Sequence, residues 1–333
     1  MQVSISSMFS EDVNHFIVKL CAFSETHTVL SWFHVVEIGS PLAYEDLKNL
    51  LQALKSFEAP IALDDQGVHF LSIMQVYDYS LLSQWVQKKN GLMSFPWVCS
   101  STQEQAYNLL MQDRAIGFSA VEYQLQGRGR RGTRWHSGFS QNICFSISKR
   151  MAGEIDTTKI SLSLGLVIVQ VLRTMYPDIA TMVKWPNDIY IGSRKLGGII
   201  VESQNSGEEQ VLVVGVGLNL YAKNLALHAV SLTEVTSAQI NKTVLTIALA
   251  DAVYGVLQQI FKGEHLSDLV EYFSQFDMLS GQMIRFNYGG QVLLGKASGI
   301  DAQGRYGVLG EQGRQFWLTS GLIHSVRPVS MGE

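Results

Sequence analysis

Six consecutive residues, Gly127-Arg128-Gly129-Arg130-Arg131-Gly132, restrict the architecture more than any other stretch of this chain. Glycine lets a backbone turn sharply and come close to a ligand, so the chain must turn here, between two separate elements. The arginines add planar, permanently charged forks that match phosphate and carboxylate oxygens. With Thr133-Arg134 the cluster holds four arginines and three glycines, in a chain whose net charge is -4. An isolated cluster of this kind is ordinarily a solvated basic loop. Its neighbours in sequence decide whether this one is more.

The 333 residues suffice for two or three domains, and 47% hydrophobic with 16% charged residues describes an ordered globular chain. The acidic balance leaves nucleic-acid binding to a local patch. Cys21, Cys99 and Cys144 are odd in number and far apart, without metal spacing, which predicts free thiols in a reducing compartment. Met1–Asp12 shows neither a basic nor an apolar leader region, so a cytoplasmic location is expected. The densest apolar run, Leu162–Leu172, is short for a bilayer and reads as a buried helix, so no membrane partner is expected.

Residues 1–88 read as a first domain. Helical patterns cover Val13–Phe23, Val29–Val36 and Tyr44–Phe57, the last with Leu47, Leu50, Leu51 and Leu54 on one face. Asp64-Asp65-Gln66-Gly67 then predicts a hairpin turn between Ile61–Leu63 and Val68–Leu71. Three helices and a hairpin form the order of a winged helix-turn-helix. The charge argues against DNA: residues 1–90 hold ten acids and five lysines, and no arginine precedes Arg114.

Residues 89–277 alternate between strand and helix patterns. Strands are expected at Phe95–Val98, Gly117–Gln124, Asn142–Lys149, Met182–Trp185, Asp188–Ile191, Leu196–Glu202 and Val211–Leu218. Helices are expected from Ser101 or Thr102 to Gln112, at Ile160–Met175, Val244–Phe261 and Leu266–Phe273. Residues 278–333 change period: Ile284, Phe286 and Tyr288 alternate with polar residues, Gly289-Gly290 turns the chain, and glycines recur through Gly321. A small all-β unit of about five strands follows from that pattern. The predicted class is α+β, with a central mixed sheet between a winged-helix-like domain and a small β-barrel.

The Gly127 stretch contains G-x-G-x-x-G, the dinucleotide fingerprint, but Thr133–Gly138 is a poor helix start and the first acid beyond is Glu154, in a polar connection. No G-x-x-x-x-G-K-[ST] is present, which removes the ordinary P-loop. A second dense stretch runs Lys184-Trp185-Pro186-Asn187-Asp188 and closes with Arg194-Lys195-Leu196-Gly197-Gly198-Ile199. Alone, its Pro-Asn-Asp is a turn and Lys195 a surface lysine. Beside an arginine loop it supplies what adenylyl transfer needs, cations that bring an attacking carboxylate to an α-phosphate. The third stretch, Gly215-Val216-Gly217-Leu218-Asn219, is either a bulge or a strand that a ligand approaches closely.

These stretches, in this order, resemble the biotin protein ligases over about Trp97–Val308, with Gly299-Ile300-Asp301 and Gly304 in the β unit. The first domain resembles, in outline, the winged helix of the longer, bifunctional members. The resemblance implies a catalytic domain of the biotin/lipoyl ligase type and an SH3-like barrel at the C-terminal end. It implies a two-step reaction: biotin and MgATP give biotinyl-5′-AMP, and a lysine of a biotin carboxyl carrier protein, typically that of acetyl-CoA carboxylase, then takes the biotin. By position, Ser101, Thr102 and Gln124 hold the bicyclic end of biotin. Arg128, Gly129 and Arg130 form a lid over biotin and its activated carboxyl, hinged at Gly127, Gly129 and Gly132. Lys195, with Gly198 beside it, meets the carboxylate and the α-phosphate. Arg131, Trp135, Asn187, Asp188 and Asn219 fall on the nucleotide, with Asp188 nearest Mg²⁺. Lys195, Arg128 and Arg130 are the expected catalytic groups. The chain departs from the family in three places: Ser100-Ser101-Thr102-Gln103 replaces Asp-Ser-Thr-Asn, Tyr221–Ser231 lacks the tryptophan that covers adenine, and the first domain lacks basic residues. A homodimer enters by analogy only, and two alternatives share the fold, a ligase that also represses biotin-synthesis genes and a lipoyl or octanoyl transferase.

Overall fold

The structure is a computed structural model that describes residues 10–112, 114–151, 156–206, 209–221, 225–262, 269–319 and 326–328. Glu154, residues 222–224 of the Tyr221–Ser231 connection, residues 266–268 of the last expected helix and Gly321 lie outside the described residues. The chain divides into two compact units, Met1–Arg150 with Val211–Ile247, and Met151–Gln210 with Ala248–Glu333.

The first unit opens with α1 (Glu11–Thr26), β1 (Val29–Ser31), α2 (Trp32–Gly39), α3 (Tyr44–Ser56), β2 (Ile61–Leu63) and β3 (Gly67–Phe70). Strands β1, β3 and β2 pair antiparallel in that order, which completes the winged-helix arrangement. The expected helix Val29–Val36 is instead a strand followed by a helix. Val29 and Leu30 pair with β3, and the Ser31 side chain then accepts from His34 N–H and caps α2. The wing turn forms as expected, with the Asp64 carboxylate accepting from the N–H groups of Gln66 (2.8 Å) and Gly67 (3.2 Å). Gly67 has a φ of 150°, and a Cβ there would lie 2.1 Å from the carbonyl oxygen of Leu30.

Beyond the wing come α4 (Tyr79–Lys88), β4 (Gly91–Ser94), β5 (Val98–Cys99), α5 (Thr102–Leu110), β6 (Ile116–Ala120), β7 (Tyr123–Gln124) and β8 (Asn142–Met151). Then follow α6 (Thr157–Met175), β9 (Thr181–Lys184), β10 (Asp188–Ile191), β11 (Arg194–Ser206) and β12 (Glu209–Asn219). In the first unit β4 runs parallel to β6 and β6 antiparallel to β8, so the sheet is mixed. Two expected strands are each broken. Of Phe95–Val98 only Val98 lies in a strand, β5, because β4 stops at Ser94 ahead of Pro96, which has no N–H to give a ladder. Gly117–Gln124 divides at Val121-Glu122, after which β7 leaves β6 and pairs in parallel with β5.

The apolar core of the three N-terminal helices does not stop at the wing. Phe16, Ile17, Leu20, Leu51 and Val68 belong to one buried cluster with Trp97, Val98, Tyr123 and Phe139. Phe57 lies against Tyr123 at 5.2 Å between ring centres, Trp97 stacks on Phe139, and the Trp97 indole N–H donates to Asn14 Oδ1. Backbone N–H of Phe139 donates to Phe57 O at 2.9 Å.

In the second unit β9, β10 and β11 form an antiparallel meander covered by α6. Gly165 lets that helix approach, since a Cβ there would stand 3.3 Å from Val183 Cγ1. Helix α7 (Lys242–Phe261) precedes α8 (Leu269–Ser274), and β13 (Met283–Tyr288), β14 (Gln291–Ile300), β15 (Tyr306–Gly310), β16 (Gln315–Leu318) and β17 (Val326–Pro328) follow. These five strands make the expected small antiparallel unit, in the order β16-β15-β14-β13-β17. Helices α6 and α7 are long and apolar enough to cross a membrane. Most of α6 is buried, and α7 buries Leu245, Leu249, Val253 and Leu257 at helical spacing, so both read as core helices.

Two glycines give opposite expectations. A Cβ at Gly117 would meet the Ala106 carbonyl at 2.1 Å, so Gly117→Ala should lose about 1–3 kcal/mol of unfolding free energy. Gly255, inside α7 with nothing within 4 Å of its Cβ position, should gain about 0.5–1 kcal/mol on conversion to alanine. Urea titrations of the two variants against the parent chain check both.

Candidate active site

Helix α5 begins at an unusual cap. Ser101 occupies the N-cap position with extended backbone, yet its hydroxyl makes no capping hydrogen bond. The carboxamide of Gln124 caps the helix in its place. Gln124 Oε1 accepts from the Thr102 N–H at 3.0 Å and from the Thr102 hydroxyl at 3.2 Å. Two donors on one side fix which end of the amide faces the helix, so the NH₂ end is turned the other way. Thr102 Oγ1 also meets Ser146 Oγ at 2.8 Å, and Gln124 N–H donates to Ser137 Oγ at 3.3 Å. Ser101, Thr102 and Gln124 are thus brought together at one helix end, all buried.

Gln124 leads directly into the glycine–arginine loop, which folds as a tight hairpin. Gly129 N–H donates to Thr133 O (2.7 Å) and Trp135 N–H to Gly127 O (2.9 Å), while Arg128 bridges to Arg134. Gly127 and Gly129 serve close packing more than hinging: a Cβ on either would stand 2.5 or 2.4 Å from Trp135 O or Thr133 Oγ1. Arg131 and Gly132 carry the positive φ values, 56° and 73°. Arg128 and Arg131 are exposed and Arg130 half-buried. The hairpin returns Trp135 to the sheet, where its indole covers Gly217 and packs on Cys99, Val121 and Cys144. A Cβ on Gly217 would lie 2.8 Å from that ring, so this glycine is needed for the indole to lie flat. Asn219 accepts from Asn142 Nδ2 at 2.9 Å and donates to Val230 O at 3.2 Å, so its carboxamide is tied to the scaffold.

In the second unit the Trp185-Pro186-Asn187 turn joins β9 to β10. Asn187 Nδ2 donates to Ile199 O at 2.7 Å and Ile199 N–H returns to Asn187 O at 3.0 Å, which clamps the turn onto β11. Trp185 is buried, with its indole N–H on Gly304 O at 3.0 Å and its ring against Tyr306. Tyr306 O–H in turn donates to the buried Asp277 carboxylate at 2.7 Å. Burial pushes the Asp277 carboxyl upward, and this hydrogen bond opposes the shift. Lys195 Nζ and Asp188 Oδ1 stand 2.8 Å apart, both partly exposed. Gly198 makes room for the pair, since a Cβ there would lie 3.0 Å from Asp188 Oδ1 and 3.5 Å from Lys195 Nζ.

Comparison with known proteins settles the family. Residues 97–219 match the biotin/lipoate A/B protein ligase family, and residues 279–321 match the biotin protein ligase C terminal domain. The bifunctional ligase/repressor BirA of Salmonella typhimurium is 30% identical over 223 residues, spanning 66% of this chain and 69% of that protein. This chain belongs to the biotin protein ligases. A biotin–[acetyl-CoA-carboxylase] ligase of Paracoccus denitrificans is 29% identical over 122 residues, 36% of this chain and 51% of that protein. The biotin protein ligase of Aquifex aeolicus, solved in complex with biotin and ATP, superimposes with a TM-score of 0.59 at 22% identity, covering 71% of this chain and 99% of that one. That last likeness is one of fold.

The biotin ligase motifs conceal the groups that hold them. Glu122 and Lys242, 120 residues apart, form an ion pair with no exposure at either side chain. Tyr77 N–H donates to Glu122 Oε1 at 2.8 Å, and the Tyr77 ring lies 4.3 Å beneath the Lys242 ammonium. Burial pushes the Glu122 carboxyl upward, and Lys242 pulls it back. The Tyr77 hydroxyl accepts from Cys144 N–H at 3.3 Å, beside the Trp135 platform. All three cysteines are free and buried; burial pushes the Cys144 thiol up to about 11 and Cys99 up to about 12, so neither is a nucleophile at neutral pH. Ser146 had a legible signal, a small polar residue recurring with Ser148 on one face of a strand whose other face carries Ile143, Phe145 and Ile147. The Glu122–Lys242 pair had none.

Removing one partner of a fully buried pair leaves an uncompensated charge. Lys242→Met alone should therefore lose about 3–5 kcal/mol of stability, and Glu122→Leu added to it should restore most of the loss. Chemical denaturation of the single and double variants is the measurement; an equally damaged double variant would contradict the assignment.

Proposed function

We propose that this biotin protein ligase activates biotin with ATP to biotinyl-5′-AMP and then transfers biotin to a lysine of a biotin carboxyl carrier protein, the kind that serves acetyl-CoA carboxylase. The observation that carries the reading is the Gln124 carboxamide. Its oxygen is committed to Thr102, which turns its N–H groups away from the helix, toward the Cys144 thiol and Gly127, where an acceptor such as the ureido carbonyl of biotin can share them. Ser101, Thr102 and Gln124 hold that bicyclic end. Arg128, Gly129 and Arg130 close over the valeryl chain and the activated carboxyl, and Gly198 keeps the space beside Lys195 open.

Both steps follow from charge and position. The biotin carboxylate attacks the α-phosphorus, the bond to the β-phosphate oxygen breaks, and pyrophosphate leaves. Lys195 sits against the negative charge that builds on carboxylate and α-phosphate, and Arg128 and Arg130 share it. Arg131, Trp135, Asn187 and Asn219 serve the nucleotide, the last two by holding backbone that faces it. Mg²⁺ fits the donor set, because the ion ordinarily takes one or two carboxylates plus substrate phosphates, and Asp188 supplies one. Among the described residues no group of three or more His, Cys, Asp or Glu side chains forms an all-protein cage. When bound, the ion neutralises charge on the leaving pyrophosphate. In the second step the carrier lysine amine attacks the acyl carbon of the mixed anhydride and AMP departs, with no side-chain nucleophile from this chain.

The reading extends to the whole chain: a winged-helix-like domain over 1–88, a catalytic domain over 89–277 and an SH3-like domain over 278–333, working in the cytoplasm. Glu45 and Asp46 in the first turn of α3 disfavour a phosphate backbone, so the repressor alternative is not adopted.

Incubation of the chain with biotin, ATP and a carrier domain should give avidin-reactive carrier and AMP; a folded chain that leaves the carrier unmodified would rule the proposal out. Lys195→Ala and Arg128→Ala should each lower turnover about 10²–10³-fold with little change in melting temperature. Gln124→Glu keeps an acceptor for Thr102 but removes the donor, so KM for biotin should rise while stability and KM for ATP stay near those of the parent.

A further inference from the structure

The face with which a winged helix ordinarily meets DNA is built here from aromatic and acidic residues. It joins the start of α2, the start of α3 and the wing turn. Trp32, the first residue of α2, ties the three together. Its indole N–H donates to Asp64 O of the wing turn at 2.8 Å, and its ring meets that of Tyr44, the first residue of α3, edge-on at 5.6 Å. Phe33 follows Trp32 and is 76% exposed. Val36 and Tyr44 are exposed as well, while Val35 and Ile38 face the core. Helical spacing groups Trp32, Phe33 and Val36, and the ring contact adds Tyr44, so the four make one apolar patch.

Carboxylates border the patch. Glu45 and Asp46 follow Tyr44 in the first turn of α3, Glu37 stands one turn beyond Phe33, and Asp65 follows Asp64 in the wing; all are exposed. Against them α3 sets Lys48 and Lys55, and Lys48 already lies 5.9 Å from the centre of the Tyr44 ring. Acids in a first turn stabilise a helix N-terminus, which accounts for Glu45 and Asp46 as it does for Glu11 and Asp12 in α1. It leaves the aromatic side chains beside them unexplained. Large apolar side chains grouped in the open, held at their base and rimmed by charge, have the composition of a protein-binding surface. The same carboxylates turn phosphate away.

We propose that this face docks a basic segment of another protein, one that carries arginine beside aromatic or aliphatic side chains. Arginine suits both parts of the face at once. Its guanidinium stacks on the ring of Tyr44 or Phe33, and its N–H groups reach the carboxylates of Glu45, Asp46 or Glu37. The apolar side chains of the segment cover Phe33 and Val36. The shape is that of a DNA-reading face, and the charge it selects is the opposite one. The proposal stands apart from the ligase reading and does not depend on it.

The probe is a random peptide library displayed on phage and selected on the full chain, with the Phe33→Ser chain as counter-selection. Selected peptides should carry arginine next to an aromatic or aliphatic residue. In fluorescence anisotropy with the tightest of them, Phe33→Ser should raise Kd at least about tenfold without moving the melting temperature, since the side chain lies in solvent. Glu45→Lys combined with Asp46→Lys should raise Kd by about as much. The control combines Glu11→Lys with Asp12→Lys, which reverses two first-turn charges on another helix and should leave Kd within about twofold of the parent. A library that yields no peptide or only acidic ones, or a control pair as damaging as the α3 pair, would overturn the proposal. So would tight binding of duplex DNA by the parent at low salt. A dimer in sedimentation velocity that Phe33→Ser dissolves would overturn it too, giving the face to a second copy of this chain.

Discussion

Two opposite charges without access to water fix the middle of the first unit. The Glu122–Lys242 pair cannot trade its partners for solvent, so each charge must stay where the other is. Tyr77 adds an N–H to the carboxylate and a ring to the ammonium, which ties the segment after the wing into the same knot. Glu122 stands where β6 ends, and two residues later Gln124 arrives under the first turn of α5. The cap that Gln124 supplies and the hairpin that follows both start from this anchored backbone.

What could be read from the sequence and what could not divide along a physical line. The family was legible because its motifs are written in consecutive residues: the glycine–arginine hairpin and the Lys184–Asp188 and Arg194–Gly198 stretches each lie in one local stretch of chain. Amphipathic helices such as α3 were legible from their period. Single residues broke the strand readings. Pro96 and the Val121-Glu122 step each end a strand inside an apolar run that alternation alone would carry on, and Val29–Leu30 join β3 where helical spacing pointed to α2. Contacts between distant residues were not legible at all, neither the Glu122–Lys242 pair nor the Trp97–Asn14 contact, because only the fold makes them neighbours.

The two units hold their polar groups in contrasting states. In the first unit Gln103 and Ser119 keep hydrogen-bonding capacity unmet where water does not reach. In the second unit Lys195 and Asp188 already satisfy one another at 2.8 Å and remain partly exposed. An anionic substrate that engages Lys195 must first compete with this carboxylate, at the modest strength of a half-solvated pair. The first unit thus leaves neutral polar groups unpaired, whereas the second holds its charges paired.

The shared core of the N-terminal helices has a consequence for whether the first domain can be separated from the rest. By sequence, the first 88 residues read as a domain of their own. By packing they are not, because Phe57 lies on Tyr123, Asn14 holds Trp97 and the Phe57 carbonyl holds Phe139. Shedding the domain would bare an aromatic face directly beside Gln124. A domain whose core runs on into Trp97, Val98, Tyr123 and Phe139 cannot be removed without unmaking the wall behind Gln124.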